Sequence, residues 1–169
     1  MSLIGLGQPA ADTYIYIQNT PPLSQYQSLD DLHAMTDGEI YQIGQQTGNH
    51  WRKIFNVFAK LEFERRETTF NTWQELRDKQ LLQANGQQCL LFSPYDSTAP
   101  KDKVHIIMGK TYATELCVAN RCTWLNEFFA YNAEHKLIIC PYFDYRQLSN
   151  VKITQLVSLI KHIEQGKLT

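Results

Sequence analysis

Three polar stretches carry the residue types of a binding or catalytic site, and each follows a short apolar run. Gln18-Asn19-Thr20-Pro21-Pro22 follows Thr13 to Ile17, Ser93 to Thr98 closes the run that begins at Gln88, and Tyr142 to Asn150 follows Leu137 to Cys140. Asn19 and Thr20 can orient a water or reach the edge of a planar ligand. They can equally satisfy the backbone of their own turn. Asp96 is the acid of the second stretch, either a general base or a cap on the Ser97-Thr98 turn. In the third, Tyr142, Phe143 and Tyr145 flank Asp144 and Arg146. An arginine among rings can hold a phosphate while a ring stacks on a base. The same residues also suit a plain Asp–Arg pair with aromatic packing.

Other chemistries find less support. His33, His50, His135 and His162 are scattered without ligand spacing, and His105 lies inside an apolar run, as a core histidine would. Cys89, Cys117, Cys122 and Cys140 include no C-x-x-C pair and read as reduced thiols. No metal site and no cofactor is expected. Gly109-Lys110-Thr111 resembles the end of a phosphate loop, but Val104 stands where the upstream glycine belongs, so it reads as a strand-to-helix turn. No G-x-S-x-G elbow is present. The net charge of −1 gives no global sign of nucleic-acid binding. With no signal peptide visible and no apolar run long enough for a bilayer, a cytoplasmic protein without a membrane partner is expected.

The elements that would position these loops follow from periodicity. Strands are expected at 13–17, 88–93, 104–108 and 137–140, each apolar or β-branched enough to be covered on both faces. Trp51, Ile54, Phe55, Phe58 and Leu61 make a helical stripe over 48–61, with Asn49 as its cap. Further helices are expected at 72–82, stopped by Asn85-Gly86, at 111–119, and at 151–165, ended by Gly166. Residues 23–47 and 124–131 are hard to assign, and 1–12 read as a loosely ordered lead-in. The expectation is a single α/β domain over 1–169. It has three layers: a mostly parallel sheet of about four strands with helices on both faces. In such a sheet the three loops gather at the carboxyl edge of the strands, where ligands bind.

Taken together, the motifs resemble the uracil-DNA glycosylase superfamily, nearest its mismatch-specific branch. Y-I-Y-I-Q-N-T-P-P-L at 14–23 is similar to the family's first motif, and G-N-H-W-R-K-I-F at 48–55 to the helix that follows it. V-H-I-I-M-G-K-T-Y-A at 104–113 is similar to a strand and turn preceding the closing motif. P-Y-F-D-Y-R-Q-L-S-N at 141–150 is similar to the closing motif itself. The resemblance implies a glycosylase-like fold with Asn19 and Thr20 where the family orients its attacking water. It places Tyr142 where the family has the histidine that stabilises the departing base. Gln18 and Pro22 replace two glycines, Phe143 and Asp144 replace a Pro-Ser pair, and Arg146, Leu148 and Asn150 are retained.

Two readings follow. One is a divergent member that binds a nucleobase, a nucleotide or a protein without standard glycosylase activity. Its candidate catalytic positions are Asn19, Thr20 and Tyr142, and its candidate ligand contacts are Gln18, Ser93, Asp96, Phe143, Asp144, Arg146 and Asn150. The other is an active DNA nucleobase glycosylase in which Asn19 positions the water. A small hydrolase using Asp96 has least support, because no nucleophile–base pair is recognisably spaced.

Overall fold

A computed structural model describes residues 2–169. The four expected strands are present as β2 (Thr13–Tyr16), β4 (Gln88–Leu91), β5 (Val104–Met108) and β8 (Leu137–Cys140). They form a contiguous parallel block in the order β4-β2-β5-β8. Side chains alternate across it. Ile15, Leu90, Ile106 and Ile138 enter one core, while Tyr14, Tyr16, Leu91, Ile107 and Ile139 enter the other. Burial on both faces is why these strands read as unbroken apolar runs.

The expectation of about four strands is wrong: the sheet has eight, in the order β3-β1-β4-β2-β5-β8-β7-β6, mixed in that antiparallel pairs join a mostly parallel arrangement. On one side β1 (Gly5–Gly7) pairs antiparallel with β4 and parallel with β3 (Leu32–His33). On the other, β7 (Ala130–Asn132) and β6 (Thr123–Trp124) add antiparallel strands beyond β8. Each added strand has only two or three residues, too few to display an alternation. The 1–12 segment is therefore no lead-in, Met1 lying outside the described residues: β1 is fully buried against β4. It fits there because Gly7 has no side chain. A Cβ at Gly7 would lie 2.5 Å from the Gln88 carbonyl oxygen and 2.8 Å from the Cys89 sulfur.

The helices are distributed unequally. One face of the sheet carries α2 (Glu39–Thr47), α3 (Asn49–Arg65), α4 (Trp73–Lys79) and α6 (Asn150–Glu164), with the short α1 (Ser24–Gln27) placing Tyr26 in the same core. The other face is covered by α5 (Lys110–Glu115), a 3-10 turn at Ala119–Arg121 and loop residues such as Tyr95. The stripe of α3 is buried as expected, and so are Val57, Ala59 and Glu62, because α2, α4 and α6 all pack around this helix. Asn49 does not cap it. Gly48 precedes the helix at φ 95°, and the Asn49 carboxamide accepts from Arg52 instead. The α4 helix stops at Lys79, before Asn85-Gly86 is reached. At the end of α6, Gly166 has φ 66°, and Lys167 donates its N–H to the His162 carbonyl, a Schellman closure. The Gly109 turn between β5 and α5 sits at φ 104°, a conformation glycine adopts at little cost.

His105 is the core histidine the sequence suggests, 1% exposed. Its Nε2 lies 2.6 Å from the Pro100 carbonyl and must carry the proton, so the Tyr16 hydroxyl, 2.8 Å from Nδ1, donates to it. Burial holds its pKa below the ordinary value.

Candidate functional site

The carboxyl ends of β2, β5 and β8 meet at one rim because the three strands run parallel and in register. A cleft of about 350 Å³ opens there. Gln18 reaches it from β2, Gly109 and Lys110 from β5, and Pro141, Tyr142 and Gln147 from β8. Glu127 and Phe128, in the turn between β6 and β7, form the opposite wall. The Gln18 carboxamide donates to Glu115 Oε2 at 2.6 Å. Two lysines are held by rings of the same turn region: Lys110 Nζ is 4.8 Å from the Trp124 ring centre, and Lys152 Nζ is 3.6 Å from that of Phe128.

At the mouth, residues from three elements converge on one hydroxyl. Tyr142 Oη donates to Asn19 Oδ1 at 3.4 Å and lies 3.0 Å from His50 Nε2. With the phenol proton directed to Asn19, His50 Nε2–H donates to the phenol oxygen. The imidazole and phenol rings are also stacked, 5.7 Å between centres and 20° between planes. Burial, with a smaller contribution from Asp144, pushes the Tyr142 phenol up to about 12, so it is a neutral hydrogen-bond donor at neutral pH. His50 was missed in the sequence because scattered histidines carry no motif. Its one visible signal is its place in the first turn of α3, immediately before Trp51, the first residue of the stripe.

The remaining candidates divide. Thr20 is half-buried beside Asn19 in the same loop. Phe143 is fully buried and packs edge-on against Phe58, 5.7 Å between ring centres, so it belongs to the core rather than to a ligand surface. The Asp144 carboxylate accepts from the Arg146 backbone N–H at 2.9 Å and lies 3.8 Å from Lys53 Nζ. The Arg146 side chain is exposed. Asn150 begins α6 and lines a neighbouring groove with Lys60 and Ile153.

Ser93 and Asp96 stand apart. They line a separate pocket of about 210 Å³ with Tyr14 and Tyr16. Ser93 Oγ accepts from the Ile4 N–H at 3.0 Å, which secures the chain entering β1. Asp96 accepts from the N–H and the hydroxyl of Thr98, an Asx turn that lowers its carboxyl pKa.

Residues 4–161 match a family of unknown function, DUF6942. The chain belongs to the DUF6942 family. No curated protein and no solved structure matches it. In this DUF6942 chain the matched range takes in every element of the sheet and the whole Asn19–Tyr142–His50 constellation. Among the described residues no helix is long and apolar enough to cross a membrane.

Proposed function

We propose that this DUF6942 protein binds a nucleobase or nucleotide in the cleft at the carboxyl rim of its parallel strands, without standard glycosylase activity. The supporting observation is the hydroxyl of Tyr142, fixed between Asn19 and His50 at the mouth of a cleft of about 350 Å³. That volume suits a planar heterocycle. Tyr142 and Phe128 supply aromatic wall, Gln18 and Gln147 supply amides, and Lys110 supplies a cation for a phosphate. The resemblance to uracil-DNA glycosylases supports a heterocycle at this rim. Against hydrolysis stands the Gln-Asn-Thr-Pro-Pro loop, which has no carboxylate to activate water.

Titrating the protein with nucleobases, nucleosides and nucleoside monophosphates by calorimetry tests this. Saturable binding is expected, weakened about tenfold or more by Tyr142→Ala, equivalent to about 1.4 kcal/mol. Absence of binding across the set refutes it.

The second reading, an active glycosylase, gains from His50. Its imidazole beside Tyr142 gives the phenol a partner able to compensate charge while it donates to a departing base anion. Duplex oligonucleotides with uracil, hypoxanthine or mismatched thymine decide between the two. Base release that disappears in Asn19→Ala establishes the enzyme and overturns the binding-only proposal.

A further inference from the structure

From His50 at the cleft mouth, α3 carries a second pattern that continues past the cleft. His50, Lys53, Asn56 and Lys60 are spaced three, three and four residues apart, so they share one face over about 15 Å of helix. Each meets an aromatic residue of the facing segments. His50 stacks on Tyr142. Lys53 Nζ is 5.8 Å and Lys60 Nζ 5.0 Å from the Tyr145 ring centre, and Asn56 Nδ2 donates to the Tyr145 hydroxyl at 2.7 Å. Lys60 Nζ is also 5.2 Å from the Trp73 ring, with Arg77 at 5.4 Å from it. Arg77 in turn donates to Asn56 Oδ1 at 2.9 Å. Cations and rings thus alternate from the cleft mouth to α4. Beside them runs a groove of about 390 Å³ lined by Lys60, Phe63, Glu64, Trp73 and Ile153.

We infer that this stripe is a track for single-stranded nucleic acid, whose flanking nucleotides lie along α3 while one base occupies the cleft. The inference rests on the cleft reading for its starting point. Alternating rings and cations match a chain of alternating bases and phosphates, and an unstacked strand offers both. A duplex hides its base faces, and an acidic peptide has carboxylates but no regular planar groups. Three acids counter the stripe: Asp144, 3.8 Å from Lys53, Asp78, 2.8 Å from Arg77, and Glu64 in the groove, which accepts from the Thr154 hydroxyl at 2.9 Å. Both pairs are partly open to solvent, so phosphates can replace the carboxylates at small cost. Lys60 has no carboxylate within 4.0 Å among the described residues and is the cation to test.

The experiment is fluorescence anisotropy with a labelled single-stranded 12-mer, the same sequence as a duplex, and polyglutamate, alongside a nucleoside monophosphate measured by calorimetry. The single strand is expected to bind at least about tenfold more tightly than the duplex or polyglutamate. Lys60→Gln, checked for an unchanged melting temperature, should weaken it and reduce the slope of log affinity against log salt by about 0.7. Tyr145→Ala should weaken the single strand and leave the monophosphate unaffected. Monophosphate binding with no gain for the 12-mer refutes the track and leaves the cleft reading standing. Loss of monophosphate binding in the wild type refutes the cleft reading and, with it, the register proposed here. Polyglutamate binding as tightly as the 12-mer overturns the choice of partner.

Discussion

Replacing Glu62 is expected to destabilise the protein strongly, because this carboxylate is the buried junction between α3 and the start of β2. Its side chain is wholly inaccessible, and Arg65 beside it is 3% exposed. Arg65 donates to Glu62 Oε2 at 3.1 Å and Arg66 to Oε1 at 2.7 Å. The two guanidiniums also bond Thr13, and Arg66 grips Asp12 through two nitrogens at 2.6 and 3.0 Å. Glu62→Ala removes the one fully buried carboxylate from both guanidiniums, leaving Arg66 with Asp12 and the buried Arg65 with the more exposed Glu164 at 3.3 Å, and breaking such a buried pair costs about 3–5 kcal/mol. Glu62→Gln keeps the shape and one acceptor, so its cost falls to about 1.5–3 kcal/mol, the worth of hydrogen bonds to a charged group. In urea, with a slope of about 2 kcal/mol/M, Glu62→Ala moves the midpoint down by about 1.5–2.5 M. Unfolding followed by tryptophan fluorescence reads this directly, since Trp51 is 2% exposed. A loss under about 1 kcal/mol with an unchanged slope would refute the reasoning, because it would mean that water reaches the guanidiniums and repairs the lost contact.

The same junction predicts a pH effect. Burial by itself raises the Asp12 pKa, but the hydrogen bonds from Arg66 and Thr13 and the charges of both arginines outweigh it, so the carboxyl ends below its ordinary value of 3.8. A lowered acid pKa means a contribution that is complete above about pH 4–5 and lost as pH falls through the folded-state value. Asp12→Asn should flatten the acid limb of the stability–pH profile, and an unaltered limb counts against the assignment. Gly7→Ala should cost several kcal/mol or abolish folding, since the added carbon would collide with rigid β4 backbone at φ 123°; wild-type thermal stability in this variant would show that β1 is not docked. Phe55→Ala, at a site 1% exposed, should lose about 3–5 kcal/mol in chemical denaturation, and a loss below about 1 kcal/mol would place the α3 stripe at the surface.

How much of this was legible in the chain depends on the length of each signal. The four central strands and the stripe of α3 were readable because each carries three or more apolar residues in an order that only one environment satisfies. The edge strands were not. Gly5-Leu6-Gly7 has two residues of low strand propensity, and its burial depends on β4 lying against it, which no local pattern reveals. Asn19 and Tyr142 could be brought together on topology alone, because parallel strands deliver their carboxyl ends to one rim. Ser93 and Asp96 follow a strand of the same block and yet leave the group. Ser93 turns towards Ile4 and Asp96 closes on Thr98, beside the second core, which holds Tyr14 and Tyr16. Topology fixes the edge at which a loop leaves the sheet, while local hydrogen bonds decide the face to which it turns. Phe143 was misplaced for a related reason: adjacent residues in a tight loop point in opposite directions, so Tyr142 at the rim puts Phe143 against Phe58.

The two ends of α3 explain why a helix with so long an apolar stripe also bears polar contacts at its ends. Its seventeen residues begin at Asn49, and from His50 at the rim to Arg65 at the opposite edge of the sheet they span about 22 Å. At the far end, Glu62 with Arg65 and Arg66 pins the helix to the residues that open β2. At the near end the same helix presents His50 to Tyr142, whose hydroxyl meets Asn19, just beyond the other end of β2. Helix and strand are thus tied at both extremities, with the apolar stripe packed between. A hydrogen bond of 3.4 Å between loop residues is weak in isolation. Here its geometry is set by two rigid elements whose relative position is fixed by buried charge about 22 Å away. Loosening that far junction should therefore enlarge the spread of Asn19–Tyr142 distances before the sheet itself is lost. Glu62→Gln is the variant in which to look for it, by relaxation-dispersion NMR of the Asn19 carboxamide: new exchange broadening there, with β5 amides unchanged, is the expected result, and an unbroadened carboxamide would show that the rim holds its own geometry.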